Sequence, residues 1–183
     1  SLAFLEVERM KKEAIRKLTI AGIVAGLYLS LTLLFAPISF KAFQIRVSEA
    51  LTLLPFIFPE AILGLFVGCF IANFFSPFGI IDVVFGSTLT LLAAYLTYLL
   101  GRTKKPYLAP IPPIFINGFG VSLYVTLLSK GSILSFANFD LKLYLSISIS
   151  IIIGEMIATY LIGLPLLYAL MKLPFLRRIK NEF

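Results

Sequence analysis

The chain has 183 residues, of which 60% are hydrophobic and 14% charged, and its mean hydropathy is +1.01. One small soluble domain could not bury this much apolar surface, so the composition excludes an ordinary soluble protein and predicts a polytopic membrane protein. The lack of histidine and the single cysteine, Cys69, exclude a disulfide framework, a thiolate zinc site and histidine-based catalysis within this chain.

Six apolar runs predict six transmembrane helices, because a helix needs about 20 mostly apolar residues to cross the bilayer. We expect an all-α fold in a single integral membrane domain over residues 1–183, in which residues 1–17 form a charged cytoplasmic segment rather than a cleaved signal peptide. The predicted spans are residues 18–35, 45–58, 60–75, 80–100, 108–128 and 143–171.

The first run ends before Pro37, which a continuing helix would not tolerate well. The second is short: even when it starts at Ile45, an α-helix there would extend only about 21 Å. We therefore expect this segment to be buried among its neighbours or to thin the bilayer. The third run ends at a turn signal that contains Pro77 and Gly79.

The fourth run is interrupted by Asp82 and a few small polar residues, and the fifth has three prolines near its first turn. The last run is longer than the membrane requires. It carries Glu155 near its centre, and Pro165 is expected to kink it. With no tryptophan in the chain, eight tyrosines are expected to supply any interfacial belt.

Orientation follows from the distribution of lysine and arginine. With six spans, both termini lie on one side, which then carries twelve basic residues against four on the other side. This predicts cytoplasmic termini, and it explains the net charge of +7 better than nucleic-acid binding does.

Polar residues inside the spans are costly, about 2.5–3.5 kcal/mol for a charge at the helix centre, so each requires a reason. The predicted topology gives four of them similar depth in the outer half of the membrane and two a deeper position below. The outer group is Arg46, Glu49, Asn73 and Asp82, and the deeper pair is Asn117 and Glu155.

Each of these residues also has a plain structural explanation. Asp82 could cap a helix, Arg46 and Glu49 could form an intrahelical ion pair, and Asn117 could bond a neighbouring helix. Glu60 follows Pro59 at a helix start, where an acid complements the helix dipole. Glu155 differs, because no basic residue lies near it in its span and it is far from either helix end, which favours a functional role.

A cavity with these groups would suit a flat heterocycle that donates several hydrogen bonds to carboxylates and stacks on aromatic rings. The acids are spread over different spans without a compact ligand-spacing motif, so we expect no metal and no cofactor.

Two overlapping pairs of small residues lie in the first span, Ala21 with Ala25 and Gly22 with Gly26. Such spacing allows close approach of another helix, either within the chain or from a partner. The chain has no phosphate-binding glycine-rich loop, so any uphill transport would draw its energy from another subunit or an ion gradient.

Four segments resemble the QueT family, the substrate-binding S components of energy-coupling-factor (ECF) transporters. They are residues 43–55 (FQIRVSEALTLLP), 64–75 (GLFVGCFIANFF) and 79–94 (GIIDVVFGSTLTLLAA) and, more loosely, Gly154–Glu155 with 160–167 (YLIGLPLL). The resemblance implies six helices and a cavity that opens outward beneath the loop between the first two spans. It also implies uptake of a 7-deazaguanine precursor of queuosine, a form of vitamin uptake.

The resemblance further implies a transmembrane coupling subunit with two ATPase subunits, which S components contact through an AxxxA pattern that Ala21 and Ala25 match. Our first hypothesis is therefore a non-enzymatic binding subunit for a compound such as 7-aminomethyl-7-deazaguanine. It assigns Glu49 and Glu155 to donor groups of the ligand, Asn73 and Asn117 to its ring edge, Asp82 to a supporting or amine contact, and Arg46 to an outer gate. The alternative is a stand-alone or proton-coupled carrier of a small heterocycle in which Glu155 titrates.

Overall fold

The computed structural model describes residues 2–39, 45–129 and 139–174, and every regular element in these ranges is a helix. Its α-helices are α1 (Leu2–Leu34), α2 (Ala36–Ser39), α3 (Ala61–Ala72), α4 (Ser87–Gly101), α5 (Ile111–Leu128), α6 (Leu141–Met156) and α7 (Leu164–Lys172), and a long 3₁₀ helix spans Val47–Phe56. Shorter 3₁₀ turns lie at Asn73–Phe75 and Pro106–Leu108, and π-helical segments at Asp82–Gly86 and Ile157–Gly163.

Four helical stretches in the described ranges are long and apolar enough to cross a membrane: Phe4–Leu34, Asp82–Gly101, Pro106–Leu128 and Leu141–Lys172. They overlap the first, fourth, fifth and sixth predicted spans, and the first stretch also includes most of the charged segment before residue 18. The other two predicted spans correspond to shorter apolar helices, Val47–Phe56 and Ala61–Phe75. Part of the loop expected above the cavity, residues 40–44, lies outside the described residues, as do the basic residues Lys41, Lys130, Arg177, Arg178 and Lys180.

Large apolar side chains cover much of the outer surface of the bundle. Leu18 and Leu161 are each 70% exposed and Ile80 is 67% exposed. A surface of this kind belongs in lipid rather than in water. Together with the long apolar helices, it describes a multi-pass membrane protein.

The second predicted span forms a 3₁₀ helix of 10 residues, Val47–Phe56, which is unusually long for this geometry. A 3₁₀ helix rises about 2.0 Å per residue against about 1.5 Å for an α-helix, so the same residues extend over about 20 Å instead of about 15 Å. Every residue from Ser48 to Phe56 is buried. The expectation that this segment lies buried among its neighbours is confirmed.

Close contact between α1 and α3 depends on two glycines of α3. A Cβ added at Gly64 would lie 2.5 Å from the carbonyl oxygen of Ala21, and one added at Gly68 would lie 2.8 Å from that of Ala25. Any side chain at either position would force the two helices apart. The small residues of the first span therefore have a partner within the chain, and this packing places Tyr28 and Cys69 in the same buried cluster.

Both π-helical segments border polar residues that the sequence singled out. Asp82 begins the first, and the second starts two residues after Glu155 and ends just before the Leu164–Pro165 pair that opens α7. π-Helical turns often occur at functional sites, because they alter the direction of neighbouring side chains. Here they adjoin the candidate site from two different spans.

Candidate ligand-binding site

A small polar cavity lies in the centre of the bundle. Four segments that are far apart in sequence line it. Its polar lining residues are Arg46, Glu49, Asp82, Thr90, Asn117, Tyr124 and Glu155, and Gly86, Val121 and Ile151 complete the wall. Five of the six predicted substrate-binding residues therefore line one cavity. Asn73, the sixth, does not line it.

The floor of the cavity contains two acids that meet at one amide. Asn117 Nδ2 donates to Glu155 Oε1 at 2.8 Å and to Glu49 Oε2 at 3.3 Å, so it joins α5 to α6 and to the 3₁₀ helix. Glu49 is also bonded on its other oxygen, Oε1, by the hydroxyl of Tyr28 from α1. All four residues are buried. This arrangement fixes the orientation of both carboxyl groups.

Two acceptors on this floor have no hydrogen-bond partner among the described residues. They are Glu155 Oε2 and Asn117 Oδ1, and both atoms are fully buried. A buried polar atom without a hydrogen-bond partner lowers the stability of the folded protein by about 1–3 kcal/mol. Such an atom in a native protein therefore usually indicates a bound ligand, a bound water or a functional role. The floor can therefore accept hydrogen bonds from a donor-rich ligand.

Arg46 and Asp82 form the charged wall of the cavity. Arg46 Nη2 lies 3.9 Å from Asp82 Oδ2, and the side chains are 15% and 4% exposed. Tyr124 of α5 donates its hydroxyl to the other oxygen of Asp82. Asp82 is thus bound from two sides and does not act as a simple helix cap facing solvent.

Asn73 supports this wall from behind. Its Nδ2 donates to the backbone carbonyl of Asp82 at 2.9 Å, and its side chain is completely buried. Gly86 is required nearby, because a Cβ there would lie 2.6 Å from Asp82 Oδ1 and 2.9 Å from Asn73 Nδ2. Asn73 therefore positions Asp82 without lining the cavity itself.

Sequence reasoning missed Thr90 of the cavity lining and two tyrosines, because it assigned all tyrosines to an interfacial belt. Tyr28 is 0% exposed and Tyr124 is 5% exposed, and each donates its hydroxyl to a site carboxyl group. For Tyr28 a signal was present in the sequence. It lies in the middle of the first apolar run and not at an end, where an interfacial tyrosine belongs.

The small residues of α1 face in two directions. Ala21 is 6% exposed and Ala25 is half-buried, and both face Gly64 and Gly68 of α3. Gly22 and Gly26 are exposed, with no atom within 4 Å of an added Cβ. The outward face of α1 thus presents the glycine pair, while the alanine pair serves the packing within the chain.

The volume of the central cavity is about 30 Å³, enough for about two water molecules. Pockets for small organic ligands measure about 300–1,000 Å³. The walls of the central cavity must therefore separate before a two-ring heterocycle can bind there. Chemically, the cavity offers three carboxyl groups, one guanidinium group, one tyrosine hydroxyl group and one amide, and two of its acceptor oxygens have no partner among the described residues. This set favours a ligand rich in hydrogen-bond donors.

Comparisons with known proteins give two matches. The sequence profile of the QueT transporter family matches residues 18–172. A curated protein, the queuosine precursor transporter QueT of Lactococcus lactis subsp. cremoris (strain MG1363), is 38% identical over 101 residues, which cover 54% of this chain and 59% of that protein. No solved structure matches the chain.

Proposed function

The chain belongs to the QueT transporter family, whose profile covers most of its length, and we propose that it binds a 7-deazaguanine precursor of queuosine for import. The name of the relative, a queuosine precursor transporter, supports this substrate class. In this proposal the ligand site is the central cavity, and 7-aminomethyl-7-deazaguanine is the preferred compound. The protein itself is a transporter subunit and performs no chemistry on its ligand.

The observation that carries the proposal is the pair of unpartnered acceptors, Glu155 Oε2 and Asn117 Oδ1. A guanine-like edge presents a ring N–H beside an amino group, and a carboxylate can accept from both at once. In our proposal Glu155 and Glu49 accept these donors, and Asn117 aligns the ring between them.

The charged wall suits the remaining part of the ligand. Glu49, Asp82 and Glu155 bring three acids to a cavity that holds one basic group, Arg46. An aminomethyl group, which is cationic at neutral pH, offsets that excess of acid. Asp82 is the amine contact in this assignment, Asn73 holds Asp82 in place, and Arg46 acts as the gate, released from Asp82 when the amine arrives.

Six spans with cytoplasmic termini are part of the proposal. It treats the 3₁₀ helix and α3 as a pair of short crossings that are stabilised by burial within the bundle. The excess of basic residues at one end of the spans supports this orientation. The cavity then opens toward the outside, and the whole domain reorients to release the ligand inward.

A coupling subunit with two ATPase subunits supplies the energy in this proposal. The sequence assigns docking on the first span to Ala21 and Ala25, but Ala21 is only 6% exposed and its backbone carbonyl lies against Gly64 of α3. The same two turns of α1 present Gly22 and Gly26 outward with open space around them. We therefore place the partner helix on the glycine face, with the alanine pair setting the rotation of α1 about its axis.

Uptake of a radiolabelled 7-deazaguanine tests the proposal. Cells that express this chain together with an ECF coupling module should accumulate the compound, and cells that express either part alone should not. Accumulation by this chain alone would contradict the coupling and favour a stand-alone carrier. If neither cells that express this chain alone nor cells that also express the coupling module accumulate any 7-deazaguanine, the proposed substrate class is contradicted.

A further inference from the structure

A second cavity lies at the end of the bundle where the charged half of α1 meets its apolar half. Its volume is about 560 Å³, within the usual range for bound organic molecules, and it shares no lining residue with the central site. The wall is mainly apolar and consists of Ile20, Phe56, Ile57, Phe58, Tyr98 and Met171. We call this cavity the basic-end groove.

Basic side chains surround the mouth of the basic-end groove. Arg16 is balanced by Glu60, whose Oε1 lies 3.9 Å from Arg16 Nη2. Arg102 and Lys104 also line the groove and are exposed, and neither forms an ion pair with an acid in the ranges that the structure describes. The mouth therefore carries a net positive charge.

A tight turn after α4 fixes the backbone that carries these two cations. Thr103 Oγ1 donates to the carbonyl of Leu100 at 2.7 Å, and the amide of Lys104 donates to the carbonyl of Gly101 at 3.2 Å. Lys104 has a φ of 58°, the left-handed conformation that non-glycine residues rarely adopt. A Cβ at Gly101 would lie 2.5 Å from the carbonyl oxygen of Phe56, so the turn is also fixed against the groove wall.

The mouth lies at the level where the apolar segments end. Arg16 precedes the apolar run that begins at Leu18, and Arg102 directly follows the last residue of α4. In a bilayer this level is the layer of lipid phosphates, and basic pockets between helices at this depth bind anionic head groups. The groove thus offers an apolar wall beside fixed positive charge, in the order in which a phospholipid presents its acyl chain and its phosphate.

We propose that the basic-end groove binds one anionic phospholipid, with the phosphate between Arg102 and Lys104 and an acyl chain against Ile20, Phe58 and Met171. The site is independent of the central cavity, so it does not depend on the proposed substrate. An anionic lipid such as phosphatidylglycerol supplies the negative charge that Arg102 and Lys104 require, whereas zwitterionic phosphatidylcholine of the same chain length has no net charge.

Native mass spectrometry of the full chain tests the proposal. The protein is reconstituted into nanodiscs of equimolar phosphatidylglycerol and phosphatidylcholine with identical acyl chains, and retained lipids are counted after release. The test variant combines R102Q with K104N, because asparagine tolerates the left-handed conformation of Lys104. The matched control combines K11Q with K12Q, which removes two exposed charges from α1 away from the groove.

The wild type should retain one phosphatidylglycerol in preference to phosphatidylcholine. R102Q/K104N should reduce that preference by at least about tenfold, and K11Q/K12Q should preserve it. An I20W variant, which fills the groove without a change in charge, should lose the bound lipid as well. Equal retention of phosphatidylglycerol by the wild type and R102Q/K104N would overturn the proposal. A loss of phosphatidylglycerol in K11Q/K12Q as large as that in R102Q/K104N would also overturn it. Unchanged lipid retention in R102Q/K104N with loss of a co-expressed coupling subunit would identify a protein interface instead and would also overturn it.

Discussion

Glu49 and Glu155 accept hydrogen bonds from the same nitrogen, Asn117 Nδ2, at 3.3 Å and 2.8 Å. One carboxyl group comes from the 3₁₀ helix Val47–Phe56, and the other comes from the last turn of α6. Each oxygen of Glu49 already accepts one hydrogen bond from the protein, while Glu155 retains an oxygen that no described residue bonds. Of the two acids, Glu155 therefore offers a ligand the oxygen that has no protein partner.

Replacing Glu155 by Gln should weaken ligand binding by about 10- to 100-fold, because the charge-assisted bonds to the ligand are lost while the side-chain volume is kept. Equilibrium binding of radiolabelled 7-aminomethyl-7-deazaguanine to the purified protein measures this effect. Glu60→Gln is the matched control, since Glu60 pairs with Arg16 away from the central cavity. An unchanged affinity in Glu155→Gln would remove Glu155 from the site.

Replacing Gly86 by Ala should impair both stability and binding. The new methyl group would lie 2.6 Å from Asp82 Oδ1, so Asp82 or its helix must shift, at a cost of about 1–3 kcal/mol. Gly22→Ala is the control, because that position is helical and open. Thermal unfolding in detergent should show a lower midpoint for Gly86→Ala and no decrease for Gly22→Ala. A Gly86→Ala protein with wild-type stability and affinity would argue against a rigid wall.

The Arg46–Asp82 pair should show energetic coupling. In a double-mutant cycle with Arg46→Gln and Asp82→Asn, measured by denaturant titration in detergent, we expect an interaction energy of about 0.5–3 kcal/mol. Each single change leaves a buried polar group poorly compensated, and the double change relieves part of that cost. The exposed pair Lys17–Glu13, 2.6 Å apart, is the matched control and should give a much smaller value. Strict additivity at Arg46 and Asp82 would exclude a direct interaction.

Substitutions on the two faces of α1 should separate docking from folding. Leucine at Gly22 and Gly26 should leave ligand binding intact and abolish uptake that depends on the coupling module, since that face is open to a partner. Leucine at Ala21 and Ala25 should destabilise the protein itself, because those residues pack against α3. Uptake that persists in the Gly22/Gly26 variant would favour the stand-alone carrier.

The sequence predicted the parts of this structure that depend on local hydropathy. The four long helices follow from the lengths of the apolar runs. The sequence placed Arg46, Glu49 and Asp82 in the outer half of the membrane with Asn117 and Glu155 below them, and these five residues line one cavity.

Rotation about a helix axis could not be predicted in the same way. α1 is apolar on nearly all sides of its membrane half, so its pattern does not distinguish the Ala21 face from the Gly22 face. The 3₁₀ geometry of Val47–Phe56 could not be predicted either, because a mostly apolar run has no hydrophobic periodicity that would distinguish a 3₁₀ helix from an α-helix. Tyr28 and Tyr124 were misassigned because tyrosine suits both an interface and a buried hydrogen bond.

The central claim is that the cavity floored by Glu155 and Asn117 binds a 7-deazaguanine, and calorimetric titration of the detergent-solubilised protein tests it most directly. The panel should include 7-aminomethyl-7-deazaguanine, its 7-cyano analogue, guanine and riboflavin. Our account predicts tight binding of the aminomethyl compound, weaker binding of the uncharged cyano compound and guanine, and none of riboflavin. Absence of heat with every 7-deazaguanine would contradict it.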